Sequence, residues 1–502
     1  MHQKIGNSSA MSLGLSSTET GLVSKGRASA GAALPGSQDW ISLLAKSLPT
    51  EHTYKARIEG RIPADLRGTL YRNGPGIFER GGVRKKSLLD GDGMIQALDF
   101  EDGGVRYRNR FVRTEKFVEE EKSGRFMNGT WSTRAPGGFL ANLGVGVKSQ
   151  AGVTTLVRDG KLLAFDEINP PYALDPSSLK TEGQYQVEAG KPSFDYKAHT
   201  KIDGKTGDWI LFGTNFGRHM TLDHLVVDKG GKIKAKGSLR SPRSTYLHDF
   251  FVTERYIIYL LHPVKFSPLP MLLGMRSIMD CLRWDASLGN LVIVVDKDGK
   301  DKPVILEAPA AFMWHSLNAY ERGDTIVAEF VGYDEPDHFI GLDPAFKAVM
   351  VGKSGNDKFP GKLRRYAIDL RARTLRQEIV ADAHYEFPIT DPRVQCHASR
   401  FAHLTYQHHK GWFHDGIARV DMKTGEQARF GFGAKHFVGE PIFAPSGGRE
   451  GQGWLLAQVL SGETNKSFVA IFDAENVASG PVAKVMMEHH VPFSFHGWWQ
   501  QA

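Results

Sequence analysis

The sequence is short of cysteine, of long apolar runs and of helical periodicity, and each shortage excludes something. Only two cysteines occur in 502 residues. Cys281 and Cys396 lie far apart and outside any C-x-x-C spacing, which argues against a disulfide framework or a zinc–thiolate site. They read as two free thiols in a reducing compartment. No uninterrupted apolar stretch reaches the ~20 residues that a membrane-crossing helix needs, and the N-terminus shows no apolar signal-peptide region. Segments with apolar residues at helical spacing are almost absent. The formal net charge of +7 is a mild excess for this length. It comes without a dense basic run interleaved with aromatics, so nucleic acid is not an expected partner. The charge fits weak attraction to anionic surfaces, membranes included.

What the chain does have is glycine and proline: 55 and 24, spread along its length. Apolar residues make up 41%, enough for a large core. Residues 1–36 are rich in Ser, Gly, Ala and Thr and read as a disordered tail. Order begins near Trp40, with a short helix over 40–47 and one domain over 37–502. From there the text consists of short β-rich runs, at 69–71, 105–112, 209–212, 256–261, 291–295, 325–330 and 454–459. Asp-Gly and Gly-Gly turn clusters separate them, as expected of hairpins in series. The rhythm implies an all-β architecture with many antiparallel strands; taken alone, it fits a barrel or a sandwich pair as well as a propeller.

The segment 266–282, FSPLPMLLGMRSIMDCL, stands apart. It is rich in Leu and Met, broken by Pro and Gly, too short to span a bilayer, and flanked by Lys265 and Arg283. Two readings are open: an excursion over the core, or an interfacial patch that touches lipid or lines an apolar entrance.

Nineteen histidines exceed expectation, and most, such as His2, His52, His408 and His409, need no special role. Four share a context. His199 (DYKAHTKID), His248 (TYLHDFF), His315 (FMWHSLNAY) and His496 (VPFSFHGWW) each sit at or beside an apolar or aromatic strand-like run. Residues so distant in sequence could converge at the inner ends of strands in different blades, and the span of the set excludes a local finger-type site. Four neutral imidazoles suit Fe, Zn, Cu or Ni. Each ring then needs its second nitrogen held, usually by a carboxylate. Glu167 (LLAFDEINPPY), Glu386 (HYEFPI) and Glu440 (FVGEPIF) occupy apolar contexts that would be poor places for a surface carboxylate.

At these residues the text resembles the carotenoid cleavage oxygenase family, most closely its bacterial apocarotenoid branch. The resemblance runs from about Asp39 to the C-terminus. It is carried by GTLYRNGPGIFE at 68–79, LDGDGM at 89–94, RFVRTEKFVEEEKSG at 110–124, YLHDF at 246–250, EFP at 386–388, GEPIF at 439–443 and HGWW at 496–499. It implies a seven-bladed β-propeller with a dome of loops and short helices over the metal face. It implies Fe(II) on His199, His248, His315 and His496, with Glu167, Glu386 and Glu440 bonded to His248, His315 and His496, and His199 without a Glu partner. The implied reaction uses O2 to cleave a carbon–carbon double bond into two carbonyl products.

The family holds polyene and stilbene cleavers. Stilbene cleavers carry a Tyr in an RYVRT-like motif, where this chain has Phe111, and a Lys loosely matched by Lys148. Phe111 suits an apolar tunnel better, so an apocarotenoid cleaved to retinal or a related aldehyde is the favoured expectation, with a stilbene as the alternative. The text departs from the branch just after Lys148, where AGVTT stands at 151–155. Phe111, Trp131, Phe312, Trp314 and Phe495 are the expected tunnel aromatics. A non-enzymatic propeller scaffold is the competing class. A cytoplasmic protein peripherally attached to membrane through 266–282 completes the expectation.

Overall fold

The computed structural model describes residues 39–502, apart from 102–103, 145 and 189–195. The expected tail over 1–36 lies outside the described residues. The fold is all-β and propeller-like. Five antiparallel four-stranded sheets are meanders whose strands follow sequence order, running from 154 to 184, 201 to 240, 251 to 308, 312 to 381 and 385 to 431. All seven β-rich runs named above are strands, several extended by a few residues at their ends. The helix expected at 40–47 is shorter: an α-turn over Asp39–Ser42 continues as a 3-10 turn over Leu43–Ala45.

The expectation of seven separate blades is corrected here. Five sheets stand alone, and the remaining main strands form one nine-stranded sheet. The reason is a single strand, Thr53–Gly60. Its first half, Thr53 to Ala56, pairs with Gly104–Phe111, and its second half, Arg57 to Gly60, pairs with Ala483–Met486. The last strand, Gly497–Gln501, pairs with Gly68–Ile77 at the far edge of the same sheet. Residues from the two ends of the chain thus close the architecture.

Within each sheet the strands change character from one edge to the other. Phe312–Arg322 is buried over most of its length, whereas Ile233–Arg240 and Thr374–Ala381 alternate between half-buried and exposed. Polar, Lys- and Arg-bearing outer strands discourage edge-to-edge pairing. The opposite edges pack on one another: Tyr385–Ile389 touches both Phe312–Arg322 and His436–Pro445, and Gly497–Gln501 touches both Thr154–Arg158 and His436–Pro445. A ring of strand edges results, and it positions the site.

Loops and short helices cover one end of that ring. Leu43 to Ala45, Leu88, Phe339, Ala345, Phe346, Trp412 and Phe413 join Trp131, Trp314 and Phe387 in one apolar cluster. The longest helix described, Glu115–Ser123, has nine residues, is capped by Thr114 and ends on Gly124 in the left-handed conformation (φ +69) that glycine adopts without strain.

Candidate metal centre and cavity

Four imidazoles converge where the strand edges meet. One ring nitrogen each from His199, His248, His315 and His496 falls in a group spanning no more than 4.8 Å. His199 Nε2 lies 2.9 Å from His248 Nε2. Ring centroids of neighbouring pairs are 4.5–5.3 Å apart and the rings are steeply inclined to one another.

Local irregularities aim these side chains. The ladder of Phe312–Arg322 slips between Met313 and Ser316, so Trp314 and His315 leave the regular pairing. A second slip, between Glu386 and Ile389, contains Phe387 and Pro388. A third, between Val438 and Pro441, contains Gly439 and Glu440. Bulges re-aim side chains, and prolines cannot donate to a ladder, so EFP and GEP mark two of the slips in the sequence. Phe387 holds a positive φ of +49, a strained value for a non-glycine, and stacks on the His315 ring at 5.1 Å. His199, His248 and His496 each precede a short strand, at Lys201–Ile202, Phe251–Val252 and Gly497–Gln501. His496 is fixed by its backbone: its N–H donates to Val153 O at 3.3 Å and its carbonyl accepts from Asn73 N at 2.8 Å.

Three carboxylates bind the outward nitrogens. His248 Nδ1 lies 2.6 Å from Glu167 Oε1, His496 Nδ1 lies 3.0 Å from Glu440 Oε1, and His315 Nδ1 bonds to Glu386 Oε2. Among the described residues no carboxylate bonds to His199. A carboxylate on Nδ1 fixes the tautomer that carries the proton there, leaving the Nε2 lone pair facing inward. His315 Nε2 is buried with no hydrogen-bond partner. Lone pairs crowded together without a donor repel, and a cation at their focus removes the conflict. The donor set fits a divalent first-row metal with no carboxylate ligand and open positions.

The three glutamates differ. Burial disfavours the Glu167 carboxylate, but His248 and Lys197 (Nζ 3.6 Å away) outweigh it and hold its pKa below the ordinary value. Glu440 is likewise lowered against burial by His496 and the buried Arg72 guanidinium. Burial instead prevails at Glu386 and pushes it up to about 8, against the hydrogen bond that it accepts from the Phe387 N–H and the nearby His496 and His248 rings. Burial and then the neighbouring imidazoles push His199 and His315 far below the usual histidine value, so both are neutral.

An apolar cavity of about 770 Å³, partly open to solvent, reaches His248, His315 and His496. Of the expected tunnel aromatics, Trp131, Trp314 and Phe495 line it. Phe312 and Phe111 do not. Phe312 packs behind Trp314 at 5.0 Å, and Phe111 stacks on Phe117 at 5.1 Å in a different part of the core. Lys148 is half-exposed and paired with Glu119 at 2.8 Å, away from the cavity. The sequence reading missed Tyr246, Phe339, Phe346, Phe387, Trp412 and Phe493 as lining residues. Three of them, Tyr246, Phe387 and Phe493, lay in text already singled out (YLHDF, EFP and VPFSFHGWW); Phe346 lies in the four-residue helix Ala345–Ala348, and Phe339 and Trp412 lie in loops whose text carries no periodic signal.

An all-β, propeller-like fold with four histidines at its ring of strand edges, each second nitrogen save one on a carboxylate, defines a class of metal-dependent oxygenases. The chain matches the family described as retinal pigment epithelial membrane protein (RPE65) over residues 45–501. It is 31% identical over 482 residues to apocarotenoid-15,15'-oxygenase of Synechocystis, covering 92% of this chain and 96% of that protein. It is 27% identical to isoeugenol monooxygenase of Pseudomonas nitroreducens, covering 91% and 97%. The cobalt-substituted structure of the Synechocystis enzyme superposes with a TM-score of 0.86 at 31% identity, covering 92% of this chain and 98% of that one. The chain belongs to the RPE65/carotenoid cleavage oxygenase family, and it is an oxygenase of that family.

Proposed function

We propose that this protein holds Fe(II) on His199, His248, His315 and His496 and uses O2 to cleave one double bond of an apocarotenoid, giving two carbonyl products such as retinal. The observation that carries the reading is the four-imidazole cluster, three of whose rings line a cavity rich in aromatic residues. Bound iron supplies the one-electron chemistry that O2 requires. The protein's residues do the rest. Glu167, Glu386 and Glu440 hold three rings in the ligating tautomer. Trp131, Trp314, Phe387 and Phe495 exclude water and place one segment of a flat, conjugated chain beside the metal. The balance is simple: both oxygen atoms of O2 are consumed, one in each carbonyl. A stilbene substrate is the alternative; the placements of Phe111 and Lys148 give it no support.

Substrates of this kind partition into lipid, and a group of exposed apolar side chains supports the reading of a lipid contact. Leu269, Leu272 and Met275 are 64%, 51% and 62% exposed, and Phe139, Leu140 and Leu143 lie beside them, joined by the Gly144 N–H donating to Leu272 O at 2.9 Å. Met279, Cys281 and Leu282 are buried, so the two readings of the 266–282 segment divide between its halves. No helix among the described residues is long and apolar enough to cross a membrane. Peripheral attachment in the cytoplasm through this patch is part of the proposal. So is a single domain over 37–502.

The test is incubation of Fe(II)-loaded protein with an all-trans apocarotenal in air and mild detergent, with products read by chromatography and mass. A shortened aldehyde that requires O2 and disappears in His496→Ala supports the reading. An iron-loaded sample that forms no product from apocarotenals but cleaves hydroxystilbenes would move the substrate class.

A further inference from the structure

A second cavity meets the histidine cluster from another side. It encloses about 1570 Å³, partly open solvent, and its wall is mixed where that of the aromatic cavity is mainly apolar: Lys201, Asp249, Ser316, Thr390, Arg393 and Gln395 contribute to it beside apolar residues such as Ile389 and Phe443. His315 and His496 line both cavities. His248 lines only the aromatic one, and His199 lines only the polar one. We propose that a divalent metal ion reaches and leaves the four histidines through this polar cavity, that His199 is the ligand that swings aside to pass it, and that the aromatic cavity carries the organic substrate alone. The inference rests on the metal reading above.

Hydration decides between the two routes. A divalent ion keeps its water until it meets its ligands, and a passage walled by Trp131, Trp314, Phe346 and Trp412, whose carboxylates at Asp166, Glu167 and Glu386 are already bonded to protein donors, offers little to replace that water. The polar cavity leaves the ion hydrated and offers hydroxyl, amide and paired charged groups. Its fixed charges are compensated: Lys201 Nζ pairs with Asp249 Oδ1 at 2.8 Å, and Asp249 Oδ2 accepts from Ser316 N and Oγ, each at 2.8 Å. Arg393 is held by Asp391 at 2.6 Å. A cation passing through therefore meets no unpaired positive charge.

His199 is suited to the gating role on two counts. It alone of the four lines the second cavity without lining the aromatic one. Among the described residues it also has no carboxylate on its second nitrogen, so its ring can turn without breaking the kind of bond that pins His248, His315 and His496.

The experiment follows Co(II), whose absorption reports the protein-bound ion, with the full chain under argon. Small-chelator removal is timed with the aromatic cavity empty and then filled by an all-trans apocarotenal, occupancy being read by tryptophan quenching. The expected result is a removal rate unchanged within about twofold. Protection of tenfold or more by the apocarotenal would overturn the route. Two plugs of the polar cavity, Ile389→Trp and Gln395→Trp, are expected to slow both uptake and removal at least tenfold while leaving the equilibrium affinity within about twofold. Leu89→Trp, on the aromatic wall, is expected to weaken apocarotenal binding and leave metal exchange alone. Folded polar-cavity variants with unchanged exchange rates overturn the proposal; if neither folds, the wild-type chelator measurement decides. No Co(II) uptake by the wild-type chain overturns the metal reading itself, a result distinguishable from uptake at an unaltered rate.

Discussion

Glu167→Ala probes the metal centre through a residue that would not touch the metal. In the wild type the carboxylate holds His248 Nδ1 at 2.6 Å, accepts from Tyr246 Oη at 3.4 Å and faces Lys197 Nζ at 3.6 Å, with both the Lys and Glu side chains only 5% exposed. Its removal has two consequences of different size. The Lys197 ammonium loses its only ion-pair partner among the described residues, and breaking a buried pair from one side costs about 3–5 kcal/mol. His248 loses the acceptor that fixes its tautomer, and losses of this kind lower metal affinity roughly 10–100-fold, or about 1.4–2.7 kcal/mol. The two are separable. Lys197→Met added to Glu167→Gln removes the orphaned charge and keeps an oxygen within reach of His248 Nδ1. Stability should then recover by most of its loss, while metal affinity stays low because a neutral amide is a weaker acceptor than a carboxylate. Urea unfolding of the metal-free proteins measures the first effect and Co(II) titration the second. A folded Glu167→Ala that binds Co(II) within about twofold of wild type would refute the claim that this carboxylate sets the ligating state of His248.

Other perturbations give outcomes of known sign. Leu272→Ser with Leu273→Ser, both on exposed positions, should lower binding to anionic vesicles in flotation yet leave metal content and melting temperature unchanged; equal flotation would assign the patch no lipid contact. Phe493→Ala removes a buried ring from the cavity wall, where it packs on Phe413 and Phe495, and should cost about 3–5 kcal/mol in urea unfolding; a cost below about 1 kcal/mol would mean that the wall collapses to fill the space. Acid should destabilise the metal-free protein above the ordinary carboxylate range, through its buried histidines. Burial pushes His262 to about 3 and His384 and His403 to about 4, from an ordinary 6.5. Between about pH 6.5 and 4 the unfolded chain therefore binds more protons than the folded one. Stability falls with pH across that window, by up to about 1.4 kcal/mol per unit for each histidine. A melting temperature flat from about pH 6.5 to 4.5 would show that these rings are accessible.

The strand rhythm, the seven β-rich runs, the scarcity of helix and the family itself were legible in the sequence, because a two-residue period, turn dipeptides and bulge-making prolines are local signals. The four histidines and three glutamates could be picked out by the same means: polar groups in apolar text need a partner, and the structure brings each Glu to a different His. What local text could not convey is which side of a wall an aromatic ring faces. Phe111 and Phe495 sit in equally apolar contexts, yet one is packed on Phe117 and the other lines the cavity. Nor could it show that Thr53–Gly60 divides its hydrogen bonds between two partners and fuses strands into one nine-stranded sheet. Those outcomes depend on pairings between residues up to several hundred positions apart. The chemistry of the site follows from residue types that the sequence displays; the shape of its two cavities, and the fact that His199 opens on the polar one, follow from closure of the ring, which only the tertiary structure decides.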